Sequence, residues 1–300
     1  MSAGLLAGLG AYLLWGLFPI YWKLLAAWSP EEVIGQRVVW SFVCLVPLLL
    51  IRGSAGGALA ALRSPRLVAL STLSGSILAM NWYVFVYAVN HDRVVEASLG
   101  YFINPLLNVA LGGIFLGERI RPWQAVAITI ALGAVAYLAW SFGEVPWIAL
   151  TLAVSFGVYG LLRKTSALSS LQGLTLETAL LFLPAAGFLF WLASHGESHF
   201  AVTDTGGRLL AVTTGLVTAL PLLLFAKAAR SLRLSTIGMM QYLAPSLQFL
   251  LGVLIYGEPL ETARMVVFSL IWLALAIFSW DGLVRAGQMR RARHRAQAEG

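Results

Sequence analysis

The stretch Ala97–Glu118, ASLGYFINPLLNVALGGIFLGE, is written twice in this chain. The second writing, IGMMQYLAPSLQFLLGVLIYGE, starts at Ile237 and ends at Glu258. The two align without a gap at an offset of 140 residues. Pro105 falls on Pro245, Gly112 on Gly252, Gly117 on Gly257, Glu118 on Glu258, and Asn108 on the chemically similar Gln248. The offset runs on backwards through Gly75 and Gly215, Phe85 and Phe225, Ala88 and Ala228, and Arg93 and Arg233. A period this long is no stacked solenoid repeat. It is an internal duplication, and each copy must supply about half of the fold.

The solvent around those halves follows from composition. Hydrophobic residues make up 59% of the chain and charged residues 11%, with mean hydropathy +0.83. A soluble domain carries about 25% charged residues, so this chain lacks the polar surface to remain in water and reads as a polytopic membrane protein. Apolar segments recur at 4–26, 33–51, 68–89, 94–116, 122–141, 146–162, 173–193, 208–229, 235–256 and 263–281. Each approaches the roughly 20 residues that cross the hydrocarbon as a helix. The predicted fold is therefore all-α and integral to the membrane, with ten transmembrane helices. The first run is too long for the h-region of a signal peptide and reads as a retained span. The breaks at 52–66 and 194–207 leave no room for a soluble domain. The single cysteine, Cys44, forms no intrachain disulfide and leaves the redox compartment unread.

Basic residues set the orientation. Arg52, Arg63, Arg66, Arg119, Arg121, Arg163, Lys164, Arg230, Arg233 and the tail arginines Arg285, Arg290, Arg291, Arg293 and Arg295 fall on one side; Arg93, Arg208 and Arg264 fall on the other. Both termini are thereby expected in the cytoplasm. Five spans, an odd number, separate the copies, so the second half is expected upside down relative to the first. Residues 1–142 and 143–284 then form two inverted five-helix halves, with 285–300 a basic cytoplasmic tail, which is a transporter architecture. The net charge of +7 reflects this loop bias and the tail's affinity for anionic lipid. No nucleic-acid partner is expected from it.

Candidate site residues cluster around the duplicated prolines. Pro105 and Pro245 lack the N–H of the helical ladder and crowd the carbonyl four residues back, which belongs to Tyr101 in one copy and Gln241 in the other. Tyr101, Asn104 and Asn108 share a helical face by three-and-four spacing, as do Gln241 and Gln248. Carboxamides facing lipid would go unpaired, so these faces are expected inside. Matching interrupted spans in the two halves point to a binding site near the midplane.

At these residues the chain resembles a known family. Asn81-Trp82, Ala88-Val89-Asn90, Glu96–Arg119 and Arg233–Gly252 are similar to the RarD-type branch of the EamA family, within the drug/metabolite transporter superfamily. Trp15-Gly16 with Pro19, Tyr21 and Lys23, and Arg37 with Trp40-Ser41, are similar too. The resemblance covers essentially the whole chain. It implies a ten-helix inner-membrane carrier of small organic molecules, built from inverted five-helix halves. Two departures are visible. Gln36 stands where the family is expected to carry histidine, and the second copy lacks a glycine opposite Gly133.

Each candidate has a plainer alternative. Asn104, Asn108 and Gln248 either contact cargo or bridge helices. Pro105 and Pro245 shape a cavity rather than touch cargo. Gly117-Glu118 and Gly257-Glu258 read as a glycine helix stop followed by a carboxylate favoured at a helix N-terminus. Trp15, Tyr21, Asn81, Trp82 and Tyr101 are candidates for an aromatic and polar path. Trp28, Trp123, Trp140, Trp147 and Trp280, near span ends, read as interfacial anchors. Arg37 and Glu177 lie at equivalent positions of spans 2 and 7. They either snorkel to opposite interfaces or point inward, guarding the two mouths or holding the ends of a polar cargo.

His195 and His199 are four apart, but the intervening Gly196 argues against a metal-binding helix, so no metal and no cofactor are expected. No nucleophile–base pair, HExxH or Walker loop is present. An enzyme is thus the remote alternative, with a channel or sensor nearer. Embedded carboxylates reduce to Glu96 and Glu177, which disfavours a sodium site and leaves proton coupling, exchange and facilitated diffusion open. The sequence is compatible with a homodimer and does not require one.

Overall fold

A computed structural model of the chain describes residues 3–232 and 240–298. Arg233–Met239, the opening of the second-copy segment, lies outside the described residues, as do the side chains of Arg230 and of the tail arginines. Within them the chain is helical: α1 (Ala3–Gly16), α2 (Phe18–Lys23), α3 (Pro30–Ile51), α4 (Ala55–Leu62), α5 (Pro65–Asn90), α6 (Val94–Leu116), α7 (Pro122–Phe142), α8 (Trp147–Thr165), α9 (Ser170–Ser194), α10 (His199–Val202), α11 (Thr205–Ser231), α12 (Leu243–Leu250) continuing as a π-helical turn (Leu251–Ile255), and α13 (Thr262–Ala298). Nine segments among the described residues are long and apolar enough to cross a membrane, and Leu243–Ile255 is a shorter apolar helix. The ninth predicted span, 235–256, is thus seen only in its latter part. The breaks at 52–66 and 194–207 carry short helices, α4 and α10.

The helix ends obey local chemistry. Ser29 and Ser64 cap α3 and α5, accepting from the backbone N–H of Glu32 at 3.2 Å and Leu67 at 3.4 Å, and each is followed by a proline in the first helical position. Ser169 and Gln172 form a reciprocal capping box on α9. Gly117 and Gly257 both take the left-handed conformation at φ +65°, where a Cβ would be strained. The amide of the following glutamate folds back onto the carbonyl six residues earlier, Glu118 to Gly112 at 3.1 Å and Glu258 to Gly252 at 2.9 Å. The duplicated GE is therefore a helix stop, as the sequence indicates.

Packing follows the duplication. The most extensive helix contacts are α7 with α13, α6 with α8, α1 with α11, α3 with α11, α3 with α9, and α5 with α8, followed by α5 with α9, α1 with α12 and α6 with α12. All join the first half of the sequence to the second. Exchanging each helix for its counterpart returns the same set: α6·α8 becomes α12·α1, α1·α11 becomes α8·α5, α3·α11 becomes α9·α5. Small residues make the matched approaches. A Cβ on Gly16 would meet Leu247 at 2.7 Å, and one on Gly157 would meet Leu107 at 3.0 Å. Leu107 and Leu247 are 140 apart, and the glycines 141. Large apolar side chains such as Leu183 and Phe190 face outward, 77% and 76% exposed, as suits lipid rather than water.

Pro105 and Pro245 behave differently. Helix α6 runs unbroken from Val94 to Leu116 with Pro105 inside it. In the second copy Gln241 and Tyr242 form a turn and the helix starts at Leu243. Pro245 is therefore in a first turn, where the missing N–H has no intrahelical partner to lose. The expectation that Gln241 and Gln248 share a helical face is corrected accordingly, because Gln241 precedes the helix. Span 1 is likewise divided, with Leu17 between α1 and α2 and Pro19 in the first turn of α2.

Candidate substrate site at the seam between the halves

The duplicated region brings several buried polar groups to the seam. Arg37, on α3, is 4% exposed and does not snorkel. Its guanidinium lies over Trp82 of α5 at 3.9 Å from the ring centroid, with Trp22 at 4.9 Å and Phe18 at 5.8 Å. Its Nε donates to Thr218 Oγ1 of α11 at 3.0 Å. Four helices thus meet on one cation. An arginine at the centre of a translocating helix costs on the order of 3 kcal/mol. A desolvated cation–π contact returns about 2 kcal/mol, so the rings compensate much of the charge. They supply no acceptors to its terminal nitrogens.

Around this box the first-copy residues divide by hydrogen bonding. Asn81 is 1% exposed and fully used: its Nδ2 donates to the Leu152 carbonyl at 3.1 Å and Ser155 Oγ at 2.9 Å, and its Oδ1 accepts from the Tyr101 hydroxyl at 3.1 Å. It bolts α5 to α8 and α6. Tyr101 also packs on Phe85 and Phe156. Asn104 is equally buried, yet its Oδ1 has no partner among the described residues. Asn108, expected inside, is instead exposed, with its Oδ1 3.8 Å from where a Cβ on Gly160 of α8 would stand. From the second copy, Gln248 is 3% exposed; its Nε2 donates to the Trp15 carbonyl at 3.0 Å, while its Oε1 is unpaired among the described residues. Trp15 packs edge-on against Tyr12 and beside Phe225. The Tyr21 hydroxyl donates to the Leu210 carbonyl and lies 3.0 Å from Thr213 Oγ1. Gln241 sits partly buried in the turn before α12.

Glu177 is also inward, 1% exposed, but it does not meet Arg37. It accepts from Ser74 Oγ at 2.6 Å and the Tyr159 hydroxyl at 3.3 Å, and pairs with Arg163 Nη1 at 3.6 Å. The two ionisable residues that the duplication superposes therefore have unequal surroundings: Glu177 has a charged partner and Arg37 has aromatic faces.

Both ends of the bundle are tied. At the end bearing Asp92, Lys23 pairs with Asp92 at 2.6 Å and the Tyr83 hydroxyl donates to Glu31 at 2.9 Å. Glu32 there is fully buried, accepting from Ser198 Oγ and from the amides of His199 and Phe200 at 2.9–3.0 Å. His199, weighed above against a metal role, places Nδ1 3.0 Å from the same carboxylate. At the opposite end Lys164 pairs with Glu118, and Arg121 with Asp281 at 2.7 Å. Back at the Asp92 end, Glu258 accepts from the amides of Val94 at 2.6 Å and Val95 at 2.8 Å, capping α6, a helix of the other half.

Sequence reasoning missed Glu32 and Glu258 as buried carboxylates, and Trp22, Phe18, Thr218 and Arg163 as partners. Glu32 sits one residue after Pro30-Glu31 in a helix's first turn, a signal for capping but not for which backbone it would cap. Trp28, expected at an interface, is 7% exposed and stacks on His199.

A bundle of apolar helices packed across two duplicated halves, with polar groups sequestered at the seam, fits a membrane transporter of the drug/metabolite type. The profile of the EamA-like transporter family matches residues 2–140, and the chain belongs to that family. Along its whole length it is 46% identical to Protein RarD of Streptomyces exfoliatus, covering 98% of this chain and 93% of that one. An uncharacterized transporter of Vibrio cholerae is 44% identical over 97% of this chain and 96% of its own. A solved crystal structure of a protein 21% identical superposes on 92% of this chain and 96% of that chain with a TM-score of 0.59; that likeness concerns the fold. The chain is thus a multi-pass inner-membrane transporter of the RarD type, seated in lipid and acting on a small molecule.

Proposed function

We propose that the chain is a secondary carrier that moves a small organic molecule across the inner membrane by alternating access. In this reading residues 1–142 and 143–284 are the two inverted halves, 285–300 is the basic tail, and both termini face the cytoplasm. The observation that carries it is the set of helix contacts unchanged by exchanging the halves. A machine whose two faces are built from equivalent interfaces can trade one for the other at little net cost. The path runs along the seam. Trp15, Tyr21, Arg37, Trp82, Tyr101, Asn104, Asn108, Gln241 and Gln248 face cargo. Asn81 and Glu177 hold the helices that carry them, while Pro105 and Pro245 set helix shape. Asn104 Oδ1 and Gln248 Oε1, buried without donors, favour this assignment, because such acceptors are costly unless a ligand or water completes them.

Purified protein in liposomes tests it. Radiolabelled candidate solutes should enter saturably and be accelerated by unlabelled solute on the opposite side. Flux linear in concentration without trans-acceleration would make the protein a channel, and a chemically altered product would make it an enzyme.

A further inference from the structure

Resting on the carrier reading above, the surroundings of Arg37 go further and specify a chemical group of the cargo. Among the described residues, Lys23, Arg93, Arg121 and Arg163 each have a carboxylate oxygen at 2.6, 2.6, 2.7 and 3.6 Å. All four are less buried than Arg37. Arg37 has no acidic partner among the described residues, and the stretch 233–239 contains no Asp or Glu. The titratable groups that act on it are the hydroxyls of Tyr21 and Tyr101, both donors to other groups. The buried carboxylate of the equivalent position, Glu177, is engaged with Ser74, Tyr159 and Arg163.

The posture of the guanidinium matters as much as its isolation. Aromatic rings cover it at 3.9 and 4.9 Å, and Thr218 holds Nε. The plane is thereby fixed by contacts that leave both terminal nitrogens without a protein acceptor among the described residues. Those nitrogens are the fork with which arginine grips a planar oxyanion through two parallel hydrogen bonds. An aromatic box fixes the fork without neutralising it.

We propose that Arg37 is the anion-binding residue of the substrate site and that the cargo is a small organic acid held there through its carboxylate. Among the described residues no second basic group bears on this cation, so it matches a single negative charge. A phosphate, carrying nearly two, would bring uncompensated charge into the membrane.

Acids and their amides, which share shape but not charge, test this on the unmodified chain. Purified protein in detergent is melted at constant ionic strength with benzoate or benzamide, phenylacetate or phenylacetamide, and L-phenylalanine or L-phenylalaninamide. At least one acid should raise the melting temperature well above the effect of its amide, as mass action requires of a ligand selective for the folded state. Arg37→Gln should lose that difference, and Arg37→Lys, which keeps the charge without the fork, should retain a reduced part of it. If no acid exceeds its amide, or if the difference survives in a monodisperse Arg37→Gln protein, the proposal is wrong. Should Arg37→Gln fail to fold, the acid–amide comparison on the parent chain decides alone. Saturable vesicle flux of neutral or cationic solutes only would keep the carrier and overturn this proposal. Acid-selective stabilisation without flux would do the reverse.

Discussion

Asn81 and Asn104 are two carboxamides of the first half, both 1% exposed, and their hydrogen bonds separate them. Interhelical bonds in membranes average about 0.6 kcal/mol each, so the three at Asn81 amount to about 2 kcal/mol. Asn81→Ala is expected to lower the unfolding temperature in detergent clearly, whereas Asn104→Ala, which removes an unpaired acceptor, should leave it nearly unchanged and depress counterflow instead. Equal thermal losses in the two variants would erase the distinction. Glu177→Gln removes the charge facing Arg163 and should reduce vesicle transport at unchanged protein level; near-parental flux would leave Glu177 with no part in transport. Helical spacing was enough to turn Asn104 inward, since unpaired polar groups cannot face lipid. Asn108 on the same expected face is exposed, and for Glu177 the sequence left snorkelling open. Spacing could not pair the buried groups. The partners of Asn81, Leu152 and Ser155, lie more than seventy residues away, and the burial of Glu258 depends on amides of the opposite half.

At the scale of elements, the duplication located both prolines and misjudged their effect. An offset records residue identity, while a helix start depends on which neighbours leave room for the first turn. Pro105 sits inside a continuous α6 and Pro245 in the first turn of α12, so their replacements should not be equivalent. Pro245→Ala permits the helix to extend back through Tyr242 and Gln241, displacing a candidate path residue, and is expected to cut transport severalfold. Pro105→Ala relieves an interior proline, whose cost is of order 3 kcal/mol in an ordinary helix, and should raise thermal stability with a smaller transport loss. Parallel measurement of melting and counterflow checks both; identical phenotypes would show that the difference in helix position is without consequence. Of the helix ends, the duplicated Gly-Glu stops were read from the sequence. The starts at Pro30, Pro65 and Thr205 were each placed three residues late, although Ser-Pro or Asp stood at the boundary. The division of span 1 at Leu17 and the π-helical turn at Leu251–Ile255 were not read, because apolar residues alone carry no signal for a change of helical pitch.

At the scale of the whole molecule, the all-helical membrane fold was legible because so little of the chain can face water, and the family because its residues recur along nearly the full length. Orientation is a separate expectation, to be read from reporter fusions: after Arg63, Lys164 and Arg295 they should report cytoplasm, and within Ser198–Thr205 the outer side. Reversal at two or more sites would overturn the orientation and, unless all four reverse together, the inverted arrangement as well. The matched glycine contacts carry the widest consequence. Gly16 against Leu247 and Gly157 against Leu107 are the same joint built twice, and under the proposed inversion they face opposite compartments. Loosening one and not the other is like adding a weight to one pan of a balance. Gly16→Ala and Gly157→Ala should therefore tilt the resting population in opposite directions, one favouring loading from outside and the other from inside, while the double variant returns toward level.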